Sequence, residues 1–109
     1  MATQFKNKVI NEVGTVPILA IETDANTRST IVGLSLANLI DSAVFASILV
    51  HDDTSIEGYF IKDILIPPSS SLRALDAGEK LILAPNNQLY IVCNIDEGLD
   101  VVVSYVDIV

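Results

Sequence analysis

Hydrophobic and polar residues alternate with a period of two over most of this chain. β-branched residues dominate the alternating runs, as they do in strands that lie half-buried on a pleated surface. The five longest runs span residues 28–37, 43–51, 56–64, 89–95 and 101–108. Shorter runs at 5–11, 16–22 and 80–84 fit three further strands. The pattern therefore predicts about eight strands and no helix.

The alternation also predicts which side chains face a core. In the 28–37 run it places Val32, Leu34 and Leu36 on one face and small residues on the other. The segment 34–50 is less decisive, because its apolar residues also fit a helical stripe. We favour two strands joined around residues 38–42, since Val, Ile and Phe are enriched there and the neighbouring segments are β.

Turn-forming residues separate the runs every 8–12 residues, a spacing typical of a β-sandwich or barrel. We expect one all-β domain over residues 1–109, a small antiparallel β-sandwich. Pro67 and Pro68 lack amide donors, so residues 66–71 should form a sheet edge or an exposed loop, with a partner contact as the alternative. The turn signals stand at 24–26, 52–55, 67–71, 76–79, 85–87 and 96–98.

Composition excludes several classes of protein. The chain has 109 residues, half of them hydrophobic, which fits one folded domain and argues against a disordered segment. Its net charge of −8 opposes binding to nucleic acid or to an anionic membrane surface. The segment 29–50 is long enough to span a bilayer, but Asp41 near its centre and six other polar residues favour buried strands. No apolar run of signal-peptide length follows Lys6 and Lys8, so we expect no export signal.

No set of residues predicts catalysis, and we expect no cofactor and no metal. His51-Asp52-Asp53 holds the one histidine of the chain, but adjacent strand residues point to opposite faces, so a strand end followed by an acidic turn is the simpler interpretation. Cys93, the one cysteine, lies in an apolar run and should be a buried hydrophobic residue. It permits no intrachain disulfide and fits a reducing compartment. An acidic cluster at 96–100 matches no EF-hand spacing.

The order of segments resembles that of short virion structural proteins of tailed bacteriophages, cyanophages among them. The resemblance covers nearly the whole chain and rests on strand and turn patterns, none of them catalytic. It departs at 69–76, where relatives often carry a Gly-rich stretch. The matching segments are Thr30-Ile31-Val32-Gly33-Leu34-Ser35-Leu36-Ala37-Asn38, Tyr59-Phe60-Ile61-Lys62-Asp63-Ile64-Leu65-Ile66-Pro67, Gly78-Glu79-Lys80-Leu81-Ile82-Leu83 and Val102-Val103-Ser104-Tyr105-Val106-Asp107-Ile108.

The resemblance implies a jelly-roll-like sandwich and a non-enzymatic virion component assembled in the host cytoplasm. It implies a capsid decoration or neck (collar) protein, with a tail or baseplate adaptor as the alternative. The implied partners are further copies of the chain, as a homo-oligomer such as a trimer, and virion proteins such as the major capsid or neck protein. A stand-alone sandwich that binds carbohydrate or calcium through acidic loops is a further alternative.

Charge points to a candidate contact region at one end of the sequence. Residues 1–11 contain two of the six basic residues and no acid, whereas the remaining chain carries four basic and 14 acidic residues, net −10. We expect residues 1–11 to act as an arm that docks on a neighbour by complementary charge. The candidate interface residues are Phe5, Lys6 and Lys8 in this arm and Pro67, Pro68 and Ser70 in the proline–serine loop.

Overall fold

The computed structural model describes residues 2–75 and 80–109, and this part of the chain contains strands and no helix. The nine strands are β1 (Thr3–Val13), β2 (Ile18–Glu22), β3 (Arg28–Asn38), β4 (Val44–His51), β5 (Glu57–Ile66), β6 (Ser71–Arg73), β7 (Leu81–Leu83), β8 (Gln88–Cys93) and β9 (Leu99–Ile108). No helix long and apolar enough to cross a membrane occurs in these residues.

The strands form two antiparallel sheets that pack face to face. The β1 sheet has the order β1-β9-β3-β6. Strand β7 lies on the same side of β3 as β6: β6 pairs with residues 35–37 of β3, and β7 pairs with residues 29–31. The β2 sheet has the order β2-β8-β4-β5. The chain crosses repeatedly between the sheets, and β9 returns to lie beside β1. This is the arrangement of a jelly roll, and the predicted all-β sandwich is confirmed.

The core lies between the sheets and consists of aliphatic residues from nearly every strand. Burying each large aliphatic side chain contributes about 1.5–3 kcal/mol to folding. On β9 the inward set is Val101, Val103, Tyr105 and Asp107, and on β8 it is Leu89, Ile91 and Cys93. The large, fully buried side chains are Val13, Ile31, Leu36, Val44, Ile48, Ile66, Leu83, Leu89, Ile91, Leu99, Val101 and Val103.

A β-bulge in β3 overturns the predicted face of Val32. The pairing of β3 with β9 shifts register between Ile31 and Gly33. The extra residue reverses the alternation, because side chains change face at every step along a strand. Ile31 is therefore buried before the bulge and Leu34 after it, while Val32 points outward with 46% of its surface exposed. Leu34 and Leu36 face the core as predicted.

The remaining strands lie where the pattern predicts them, but their first and last residues differ and one short strand, β6, is additional. The segment 34–50 forms the end of β3 and nearly all of β4, and no helix. Strand β6 was not predicted, because three residues with two polar side chains carry no alternating signal. Pro67 and Pro68 lie exposed in a turn after β5. The predicted turn at 76–79 lies outside the described residues.

Candidate functional site

The two sheets expose edge strands of very different character. Strand β2 has five residues and a register shift, and β6 and β7 have three residues each. Strand β5 has ten residues but two register shifts against β4. Strand β1 has 11 residues and pairs with β9 without interruption from Thr3 to Ile10. Short or irregular edges resist pairing with other chains, so β1 is the least protected edge.

The hydrogen bonds at the start of β1 fix which backbone groups face this free edge. Ala2 donates to the carbonyl of Val109 at 3.0 Å, and Val109 donates to the carbonyl of Ala2 at 2.9 Å. In an antiparallel pair such mutually bonded residues alternate with non-bonded ones. The amides and carbonyls of residues 4, 6 and 8 therefore bond β9. Those of Thr3, Phe5, Asn7 and Val9 point away from the sheet.

Large apolar side chains stand exposed on the outer face of β1. Phe5 is 84% exposed and Val9 is 65% exposed. Their pairing partners on β9 are Val106 and Val102, of which Val102 is also exposed. Two apolar pairs, with a polar pair between them, therefore stand along an edge that already offers free backbone groups. Clustered exposed apolar side chains are typical of interaction surfaces.

The opposite face of β1 borders a cleft between the two sheets. The cleft has a volume of about 650 Å³, and the side chains of Lys6 and Lys8 line one wall while Glu22 and Asp24 line the other. Asp107 is buried at its margin, where it accepts a hydrogen bond from the Ser29 hydroxyl. Its second carboxylate oxygen lies 3.1 Å from the Lys6 amino group. This ion pair ties β1 to β9 beneath the edge.

A local turn keeps Asp24, at the rim of the cleft, negatively charged. The pKa of the Asp24 carboxyl lies below its ordinary value, chiefly because the backbone amide of Asn26 donates to it. The hydroxyl of Thr27 contributes in the same direction. Hydrogen bonds to the ionised form favour that form. The wall opposite Lys6 and Lys8 is therefore anionic.

The structure divides the six candidate interface residues into two groups. Phe5, Lys6 and Lys8 are neighbours on β1, within the strand rather than on a separate arm. Residues 67–70 lead into β6, at the opposite edge of the same sheet. Ser70 is half-buried, and its hydroxyl donates to the carbonyl of Pro67 at 2.7 Å. The two groups do not meet within one chain.

His51 and Cys93 are far apart and occupy different surroundings. Cys93 pairs with Ala46 across β4, and His51 lies five residues further along that strand, about 16 Å away at strand spacing. The Cys93 thiol is buried beside the carbonyls of Val13 and Ile95. His51 ends β4, as the pattern predicted. These two residues cannot act as a nucleophile and its base.

The acidic turn after β4 is held together by its own hydrogen bonds. One carboxylate oxygen of Asp52 accepts from the Thr54 hydroxyl at 2.7 Å, the Thr54 amide at 2.9 Å and the Ile56 amide at 3.0 Å. These donors, led by the Thr54 hydroxyl, hold the pKa of Asp52 below its ordinary value. The arrangement stabilises a turn and favours the ionised form of Asp52.

The acidic cluster before β9 serves as a structural connection. Asp96 accepts from the Thr15 hydroxyl at 2.9 Å, and Asp100 accepts from the Glu12 amide at 3.0 Å. Asp96 therefore binds the β1–β2 loop to the loop before β9, and Asp100 binds the end of β1 to the start of β9. In residues 2–75 and 80–109 no group of three or more His, Cys, Asp or Glu side chains is placed to hold a metal ion.

Sequence analysis missed the Ser29–Asp107 pair. The alternation on β9 offered two equally apolar faces, and the one with Asp107 is the buried one. The one sequence signal for a buried Asp107 was Lys6, whose positive charge compensates the Asp107 carboxylate. Lys6 and Asp107 come together only because β1 lies beside β9. Strand order cannot be deduced from the alternation pattern.

Comparisons with known proteins relate the chain to others through its fold. No protein-family model and no curated protein matches it. A protein of the Bacillus endospore appendages, described as a family of disulfide-linked pili, is similar with a TM-score of 0.58 and 7% identity, over 96% of this chain and 86% of that one. A chain of infectious bursal disease virus, Gt strain, has a TM-score of 0.41 and 10% identity, over 97% of this chain and 32% of that one. At 7% identity, the likeness to the appendage protein is one of fold.

Proposed function

We propose that this chain is a non-enzymatic structural subunit of a tailed-bacteriophage virion, acting as a capsid decoration or neck component and assembling with copies of itself. The observation that carries the proposal is β1, an 11-residue edge strand with free backbone groups and exposed Phe5 and Val9. Natural β-proteins protect such edges unless another chain covers them. A subunit that assembles would use this edge.

The shared fold supports a structural role. The Bacillus endospore appendage protein, whose fold resembles this one, belongs to disulfide-linked pili. The present chain has one cysteine, and its thiol is buried against backbone carbonyls. Its assembly would therefore rest on strand pairing and apolar contacts. Such contacts suit a protein that assembles in the reducing cytoplasm of a host.

Light scattering behind a sizing column tests the self-assembly part of the proposal. The purified chain should have a mass that is a multiple of 11.7 kDa, and three times that mass for the proposed trimer. The measured mass should rise with protein concentration and then level off. A mass of one chain at every concentration up to the solubility limit would contradict self-assembly.

Immunogold labelling tests the virion part of the proposal. Antibody against the chain should decorate the head surface or the neck of particles from the phage that encodes it, and particles lacking the gene should serve as the control. Label confined to the tail or baseplate would replace the decoration or neck role with that of an adaptor. Purified particles without label and without the chain by mass spectrometry would overturn the virion role.

A further inference from the structure

We propose that the free edge of β1 pairs antiparallel with the same edge of a second copy, about a two-fold axis at Asn7. This inference rests on the proposed self-assembly and specifies its contact. It makes the assembled unit a dimer, in place of the trimer that the resemblance implied. The β1 sheets of the two copies would join into one continuous sheet, with the two β1 strands at its centre.

Strand β1 is more regular than the other sheet edges. Its pairing with β9 is uninterrupted from Thr3 to Ile10. Two register shifts divide the pairing of β5 with β4 into stretches of at most three residues, and one shift divides the pairing of the five-residue β2 with β8. Strands β6 and β7 have three residues each. Since a bulge turns an edge away from a new partner, the described edge that can match the full length of β1 is a second β1.

The backbone of β1 limits the registers that such a pair can adopt. Thr3, Phe5, Asn7 and Val9 direct their amides and carbonyls away from β9. In an antiparallel pair, residues that exchange both hydrogen bonds lie directly opposite each other. Both members of each bonded pair must therefore come from this outward set. A two-fold axis at any residue from 5 to 8 satisfies this condition, so the side chains must select among these registers.

The exposed apolar side chains select the register centred on Asn7. In that register Phe5 of each copy lies opposite Val9 of the other, and Asn7 lies opposite its own copy. A shift of the axis by one residue in either direction would set Phe5 or Val9 opposite Asn7. An axis at Phe5 would leave Val9 beyond the end of the partner strand. Only the register centred on Asn7 matches apolar to apolar and polar to polar along the edge.

The neighbouring strand β9 extends this match across the sheet. On the outer face Val9 pairs with Val102, and Phe5 pairs with Val106. The contact would join one of these apolar pairs from each copy into a continuous row, and the symmetry would repeat the row on the other side of Asn7. Phe5 and Val9 are 84% and 65% exposed in the single chain. Pairing would remove part of this apolar surface from water on both copies.

Charge opposes this register only weakly. On the face toward the cleft, Lys6 of each copy would lie opposite Lys8 of the other, and like charges in that position are destabilising. The Lys6 amino group, however, lies 3.1 Å from a carboxylate oxygen of Asp107. The charge that Lys8 meets is therefore largely compensated, and both lysines are exposed, where salt screens the remainder. The apolar rows on the outer face then determine the register.

The proposed contact closes at two copies. It is isologous, because each copy contributes the same residues to it, and an isologous pair leaves no further β1 edge free. Contacts with other virion proteins would use surfaces away from β1.

Cysteine cross-linking tests the register. Asn7→Cys places the two new thiols opposite each other at the axis, where the Cα atoms of a bonded pair are about 5.5 Å apart, within the distance that a disulfide spans. Thr3→Cys is the matched control, because Thr3 is also exposed on β1 but its two copies would lie at opposite ends of the paired segment. The wild type is a second control, since its one thiol, Cys93, is buried.

Under mild oxidation, Asn7→Cys should give a band at twice 11.7 kDa on a non-reducing gel, while Thr3→Cys and the wild type should stay at 11.7 kDa. Cross-linking of Thr3→Cys as readily as Asn7→Cys would overturn the register. So would an Asn7→Cys protein that does not cross-link at concentrations where light scattering shows two copies.

Light scattering distinguishes failure of this contact from failure of self-assembly. Asn7→Pro removes a donor from the central pair on both copies and leaves the β1–β9 bonds in place. We expect its dissociation constant to rise about tenfold or more, and that of the matched control Asn7→Ala to stay close to wild type, with both variants melting cooperatively. A three-copy mass, or undiminished dimerisation of folded Asn7→Pro, would overturn the two-fold pairing and leave self-assembly intact. A monomeric wild type would overturn self-assembly itself.

Discussion

At the scale of single residues, Asn38 stabilises the corner where the chain leaves β3. Its side-chain amide lies 2.9 Å from the carbonyl oxygen of Ser42, 3.0 Å from that of Ile66 and 3.1 Å from that of Pro67. Its carbonyl oxygen accepts from the amide of Ile40 at 2.9 Å. One buried side chain thus joins the β3–β4 connection to the end of β5.

Replacing Asn38 should therefore destabilise the fold. We expect Asn38→Leu to lower the free energy of unfolding by about 2–3 kcal/mol, because it leaves buried carbonyls without donors. Urea denaturation followed by circular dichroism measures the change. Asn26→Leu, at an exposed turn position, is the control and should change stability by about 0.5 kcal/mol or less. Equal effects of the two substitutions would contradict the role assigned to Asn38.

Asp52 gives a second residue-scale prediction, in the pH dependence of stability. The pKa of Asp52 is lowered in the folded state. Its contribution to the free energy of unfolding is therefore complete above its unfolded-state pKa and is lost as the pH falls through its folded-state pKa. The melting temperature of wild type should exceed that of Asp52→Ala at neutral pH, and the gap should narrow as the pH falls through the folded-state pKa of Asp52. Asp53→Ala, which keeps the Asp52 hydrogen bonds, is the matched control. A gap that widens in acid would contradict this account.

At the scale of elements, the bulge in β3 determines which residues tolerate charge. Val32 and Leu34 are two residues apart and would share a face in a regular strand. Because the bulge separates them, Leu34 is 3% exposed and Val32 is 46% exposed. Leu34→Asp should abolish cooperative thermal unfolding, since it buries an unpaired carboxylate. Val32→Asp should keep a cooperative transition, and its loss would show that Val32 also faces the core.

Sequence pattern was sufficient for the strands but not for their irregularities. Long alternating runs such as Gln88–Cys93 and Val44–His51 appear where the pattern predicts them, because burial of one face imposes the period of two. A bulge depends on pairing with a neighbouring strand, so alternation alone does not place it, and the local signal was Gly33, a glycine inside a strand run. The two groups of candidate interface residues were also named from sequence, but their separation on opposite edges follows from strand order, which alternation does not encode.

At the scale of the whole molecule, an acidic sandwich carries one long, regular, unprotected edge. The one cysteine is buried, so neighbouring copies have no accessible thiol in this fold. The assembled mass should be the same with and without reducing agent, and a non-reducing gel should show one band at 11.7 kDa. A mass that falls on reduction would require Cys93 to leave the core and would contradict assembly by strand pairing.

Deuterium exchange of the segment 2–11 tests the central claim most directly. In a dilute sample the outward amides of Thr3, Phe5, Asn7 and Val9 should exchange rapidly, because they have no partner in the sheet. At concentrations where the mass has risen, uptake by this segment should fall, while peptides from the buried strand β8 should be unchanged. Assembly with no added protection in residues 2–11 would contradict β1 as the surface through which the chain assembles.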